Sequence, residues 1–189
     1  YCTINLSCPN TTDPANFCDP RLLKKLIQRV EKEKIEFKKP VFLKLTADLS
    51  EKQSDEIIRL CHPKPWITGF ILSNLVKDRS KLQLKSPKEA HQQYKGGLSG
   101  KLVQPFSLNL IRHFRKKSGD RFIIIGCGGI FTAEDAYGYI KAGANLLQLI
   151  TGMIYQGPGT VKEINQGLAK LIKMDGIQTY QKRSEKHEN

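Results

Sequence analysis

Phe122-Ile-Ile-Ile-Gly-Cys-Gly-Gly129 decides how this chain folds. An unbroken apolar run with no polar alternation describes a strand buried on both faces, and the paired glycines end it. The same kind of unit recurs on either side. Downstream, Thr132 caps a helix that runs to about residue 142, where Gly143 stops it. Residues 145–150 form the last strand, Thr151-Gly152 a turn, and residues 160–174 the final helix. Upstream, residues 105–116 carry Phe106, Leu110, Ile111 and Phe114 at helical spacing. Before them lie the glycine-rich loop Gly96-Gly-Leu-Ser-Gly100 and a polar stretch over residues 75–95, long enough to be a lid or an insertion. Residues 67–74 and 40–46 read as two further strands, separated by a helix that opens on the capping box Ser50-Glu-Lys-Gln53. Asp19-Pro20 starts another helix, with Leu22, Leu23, Leu26, Ile27 and Val30 on one face. Residues 1–7 form the first strand and lead into Ser7-Cys-Pro-Asn10.

Five apolar strands thus alternate strictly with five amphipathic helices, with no hairpin signal. That pattern means a parallel sheet with helices outside, either doubly wound or part of a (β/α)₈ barrel. A full barrel needs about 250 residues, so 189 residues hold five units of eight. Residues 1–177 are expected to form this partial domain, and residues 178–189 a polar tail. No run of 18 apolar residues predicts a membrane-spanning helix, and no secretory signal pattern is visible. Five scattered cysteines without a C-x-x-C pair argue for a reducing compartment and against a zinc site, so no metal is expected. Cys2, Cys18, Cys61 and Cys127 read as inert buried residues. The four histidines, His62, His91, His113 and His187, read as surface residues. A net charge of +13 is spread along the chain and matches no RNA-binding motif; solvated helix faces and loops are the leading reading, with a membrane surface or nucleic acid as the alternative.

Candidate chemistry gathers at the C-terminal ends of the strands, where barrel enzymes place it. Ser7-Cys-Pro-Asn10 follows the first strand, Ser73-Asn74 the third. Glycine-rich turns at residues 96–100, 126–129 and 151–152 let backbone N–H groups approach an anion, which favours a ligand carrying phosphate. Lys44 interrupts the apolar run Val41-Phe-Leu-Lys-Leu-Thr46. A lysine there either snorkels to water or faces a ligand that carries or develops negative charge. Cys8 stands between Asn5 and Asn10 with no histidine near in sequence, so proton transfer suits it better than a Cys–His nucleophilic pair.

Ile4-Asn-Leu-Ser-Cys-Pro-Asn-Thr11, Lys44-Leu-Thr-Ala-Asp-Leu-Ser50, Ser73-Asn74 with Asp78-Arg-Ser80, Gly96-Gly-Leu-Ser-Gly100, Gly128-Gly-Ile130 and Gly157-Pro-Gly-Thr-Val-Lys-Glu163 occur in the order found in dihydroorotate dehydrogenases. The chain resembles that family over about residues 2–177, and the surroundings of Lys44, Arg79 and Lys162 resemble its quinone-linked class 2. The resemblance implies an FMN-dependent barrel that oxidises dihydroorotate to orotate in pyrimidine synthesis. Cys8 then matches the base that takes the C5 proton, while the C6 hydride passes to the flavin. Asn5, Asn10 and Asn74 match amides on the pyrimidine, with Asn5 also near the flavin, and Leu75 stands where the family has a substrate-contacting Thr. Lys44, Ser73, Gly100, Gly129, Ile150 and Thr151 match flavin contacts. Cys8 is a class 1 habit in a class 2 body, since class 2 enzymes use Ser there. The resemblance makes the first strand the fourth of eight, with three strands and a membrane-associating part preceding it. It implies a quinone acceptor and a peripheral membrane location, on the cytoplasmic side in a bacterium or at the mitochondrial inner membrane in a eukaryote. Three alternatives stand beside this: a class 1 type using fumarate or NAD, a flavin enzyme resembling dihydrouridine synthases and acting on tRNA, and an inactive fragment.

Overall fold

The computed structural model describes residues 1–7, 17–82, 84 and 96–176. Five strands form one sheet in sequence order: β1 (Cys2–Asn5), β2 (Val41–Leu45), β3 (Ile67–Leu72), β4 (Ile123–Cys127) and β5 (Leu146–Gln148). Every neighbouring pair is parallel. The helices are α1 (Pro20–Lys32), α2 (Glu51–Cys61), α3 (Gln104–Ser118), α4 (Ala133–Ala142), α5 (Thr151–Gln156) and α6 (Thr160–Met174). The parallel strand and outer helix pattern is therefore as the sequence reads it, and the sheet curls as an arc of a barrel. The Gln148 side chain on one edge strand donates to the Tyr1 hydroxyl beside the other, 2.7 Å away.

The local signals act where the sequence puts them. Asp19 caps α1 by accepting from the Arg21 N–H, with Pro20 at the first turn. Ser50 and Gln53 close a capping box on α2, and Thr132 and Asp135 close one on α4. Gly143 ends α4 at φ 110°, a left-handed position that suits glycine.

Two cores lie on the two faces of the sheet. The outer one is large: Leu43 and Leu45 of β2, Phe70 and Leu72 of β3 and Ile124 of β4 pack under the helices. Phe70 meets Phe114 and Phe122 edge-on at centroid distances of 5.0 and 4.7 Å. The inner one is small: Phe42, Ile71, Ile125 and Cys127. Tyr1 packs edge-on against Phe42. At the N-terminal end of the strands, the Arg121 guanidinium donates to the carbonyls of His62, Lys64 and Ile67, tying the start of β3 to the start of β4.

Five expectations need correction. Thr151-Gly152 is not a turn but the start of α5, because Gly152 lets the chain pass close to the Ile130 carbonyl and Gly157 ends the helix only at φ 84°. Strict strand–helix alternation fails there. Antiparallel pairing exists: Val76 and Leu98 exchange backbone hydrogen bonds at the base of the polar connection, where Arg79–Lys81 also forms a 3₁₀ turn. β5 is shorter than expected; just before it the Asn145 N–H donates to the Ile124 carbonyl and the Asn145 side chain accepts from the Ile124 N–H. Cys2 is exposed, on an edge strand. His113 is not a surface residue: its side chain is 15% exposed and bonded to Asp55 at 2.7 Å. The expected tail lies outside the described residues.

Candidate functional site

A cleft of about 430 Å³ opens at the C-terminal ends of β2, β3, β4 and β5. Alternation along β2 sends Leu43 and Leu45 outward and Lys44 inward, so the lysine forms part of its wall. Ser73, Asn74 and Leu75 follow β3, Gly129 follows β4, and Ile150 and Thr151 follow β5; with Gly100 they line the same cleft. Eight of the expected site residues are thus brought together. Asn5 joins them from the next strand: the Asn74 side-chain amide donates to Asn5 Oδ1 at 3.3 Å and to the Ser7 hydroxyl at 2.9 Å. Cys8 and Asn10 lie outside the described residues.

The loop after β3 is fixed from the strand beside it. The Asn74 N–H donates to the Leu45 carbonyl, and the Leu75 carbonyl accepts from the Ala47 N–H and the Thr46 hydroxyl. Asp48 accepts from Thr46 and from the N–H groups of Lys77 and Asp78. Burial would raise its pKa, but these three donors outweigh that and hold it below the usual carboxylate value.

The far wall is made by two turns held against each other. Gly129 adopts φ 66°, and a Cβ there would lie 2.8 Å from the Gly100 carbonyl oxygen. The N–H groups of Gly100 and Gly129 donate no hydrogen bond among the described residues. Asp135 ties the walls together. Its carboxylate accepts from the Phe131 and Thr132 N–H groups on one side and from Lys101 and Gln104 on the other. The side chain is 12% exposed; burial acts to raise its pKa, but Lys101 and Gln104 win and lower it. Its stabilisation is therefore whole above the unfolded value of 3.8 and is lost as pH falls through the lower folded value. Asp135→Asn is expected to cost about 1–3 kcal/mol at neutral pH and to flatten the loss of stability below pH 3.8. Thermal unfolding from pH 7 to pH 3 reads both; an Asn variant with the wild-type acid slope contradicts the assignment.

Three described thiols are not proton acceptors near neutral pH. Burial pushes Cys18 up to about 11 and Cys61 up to about 12. It also raises Cys127, which lines the cleft, despite Lys44. Ser7, Ser99, Asp135 and Lys101 escaped the sequence reading. Ser7 is buried and sits in the very motif that carries Cys8, so its neighbours were the available signal. Among the described residues no group of three or more His, Cys, Asp or Glu side chains is placed to hold a metal.

A curled parallel sheet with a lysine, an amide cluster and opposed glycine turns at its strand ends has the architecture of a βα barrel. Sequence comparison gives the family. The family model for dihydroorotate dehydrogenase matches residues 1–172, and the chain belongs to the dihydroorotate dehydrogenase family. It is 40% identical over 168 residues to a dihydroorotate dehydrogenase (quinone) of Christiangramia forsetii, covering 88% of this chain and 48% of that protein. It is 38% identical over 183 residues to the one of Brucella ovis, covering 94% and 49%. The crystal structure of ligand-free dihydroorotate dehydrogenase from Eimeria tenella superposes with a TM-score of 0.80 at 28% identity, covering 95% of this chain and 53% of that one. The chain spans about half the length of the relatives it matches. Its five βα units are thus part of the family's (β/α)₈ barrel. Among the described residues no helix is long and apolar enough to cross a membrane.

Proposed function

We propose that this chain supplies the phosphate-binding and pyrimidine-binding part of an FMN-dependent dihydroorotate dehydrogenase that passes its electrons to a quinone. On this reading residues 1–177 are one partial barrel domain and residues 178–189 a tail, and the whole enzyme attaches peripherally to a membrane. The observation that carries the reading is the continuity of the amide cluster at Asn5, Ser7 and Asn74 with the cleft of Lys44, Gly100 and Gly129. The quinone follows from the names of the relatives.

The cleft fits such a cofactor. The free N–H groups of Gly100 and Gly129 suit phosphate oxygens, and the Thr151 hydroxyl stands beside them, bonded to Ser99 at 3.3 Å. Lys44 sets a cation in the cleft wall, and Ser73 and Ile150 complete the lining. FMN, when bound, supplies the two-electron acceptor. The rest is done by side chains. Asn5, Asn10 and Asn74 orient the pyrimidine ring, with Leu75 beside it, and the Cys8 thiolate takes the proton from C5. A free thiol titrates near about 8.5, so a useful thiolate fraction exists close to neutral pH.

Incubation of the protein with FMN and with orotate tests the reading directly. Flavin binding with a yellow spectrum, perturbed by orotate, is expected, and the whole enzyme is expected to reduce a quinone in preference to fumarate or NAD. Failure to bind either ligand overturns the reading, and salt-sensitive tRNA binding would replace it with a nucleic-acid enzyme.

A further inference from the structure

Tyr139 lies on the buried side of α4 with no exposed surface. Its hydroxyl donates to the Gly128 carbonyl. The peptide that follows is planar and trans, so the Gly129 N–H on it points opposite to that carbonyl, away from Tyr139. A carbonyl only accepts, so the single phenolic proton is committed to it. The Ser107 side chain also hydrogen-bonds the phenol, and its hydroxyl lies 2.6 Å from that of Ser73, where either can donate; Ser73 reaches the Asn74 carbonyl as well, at 3.2 Å. This line of hydroxyls runs from a residue lining the cleft, through α3, to the turn after β4. Both approaches need missing side chains. A Cβ on Gly126 would lie 2.5 Å from the Tyr139 ring, and one on Gly128 would lie 2.8 Å from the Ser107 hydroxyl.

We propose that Tyr139 is a positioning residue of the cleft: by holding the Gly128 carbonyl it presents the Gly129 N–H to the phosphate of the bound ligand, with Ser107 and Ser73 fixing the phenol. This rests on the FMN reading above. Removing the hydroxyl frees the peptide to rotate and leaves a part-buried carbonyl without its donor. A loss on the order of tenfold in phosphate-dependent affinity follows.

The test is titration of the full chain and its Tyr139→Phe and Ser107→Ala variants with FMN and with riboflavin, which lacks the phosphate. Tyr139→Phe is expected to weaken FMN about tenfold and leave riboflavin unchanged, with Ser107→Ala in the same direction and smaller. A general packing defect would weaken both ligands alike. The Gly128 ¹³C carbonyl and Gly129 amide resonances read the turn with no flavin present, and both are expected to shift in Tyr139→Phe. Unshifted resonances, or an unchanged FMN-to-riboflavin ratio, overturn the proposal. A wild-type chain that binds no flavin, while its resonances still shift in the variant, overturns the FMN reading and leaves the Tyr139 hold on the turn standing.

Discussion

Cys8→Ala is expected to lower dihydroorotate turnover by about 10²–10⁴-fold while FMN stays bound, the range typical for removal of a positioned general base. The loss is large because no described thiol at the cleft or in the core replaces it, and Cys2 does not line the cleft. Cys18 and Cys61 are held up at about 11 and about 12 by burial, and Cys127 is raised as well. Ser7, one residue away, has its hydroxyl committed to Asn74 and to the Asn5 side chain. Cys8→Ser separates the base from its surroundings. A hydroxyl is a far poorer proton acceptor near neutral pH than a thiol, so on the proposed reading turnover of the whole enzyme should rise as the thiol ionises and the serine variant should lose that rise. Stopped-flow reduction of bound flavin by dihydroorotate across pH reads this directly, and near-normal reduction in Cys8→Ala removes the assignment.

Gly129→Ala is expected to abolish tight FMN binding, lowering affinity by about 10²–10³-fold. Two effects add. At φ 66° an alanine is strained by about 1–2 kcal/mol. Its Cβ would also stand 2.8 Å from the Gly100 carbonyl oxygen and from the Gln104 Cβ. The first of these is backbone and cannot rotate away, so the two turns must separate and the cleft wall with them. Riboflavin should suffer less than FMN, and thermal unfolding should show the barrel arc still folded. Equal affinity of variant and wild type for FMN would show that the phosphate lies elsewhere.

The sequence carried the parts of this molecule that obey local rules. Asp19-Pro20, Ser50 with Gln53, and Thr132 could be read as helix starts because a cap bonds within three residues of itself. Lys44 could be read because it is the one charge inside an otherwise apolar strand. Tyr139 could not. On a helix its spacing marks a buried face, and nothing in the spacing says that its hydroxyl meets the carbonyl of Gly128 on another element. The Asp135 carboxylate is legible as half of a capping box, yet its hold on Lys101 and Gln104 spans about thirty residues of sequence and depends on how two loops meet. The bridge between Val76 and Leu98 is hidden for the same reason: its partners are separated by a polar stretch with no strand signature.

The order β1-β2-β3-β4-β5 in the sheet has a kinetic consequence. Each strand pairs only with its predecessor and successor, so no pairing waits for the two ends of the chain to meet, although each closes a long loop, as from Gly69 to Ile123, and parallel pairing of this kind is slow. The cleft, drawn from four consecutive units, does not depend on the Tyr1–Gln148 contact between the edges.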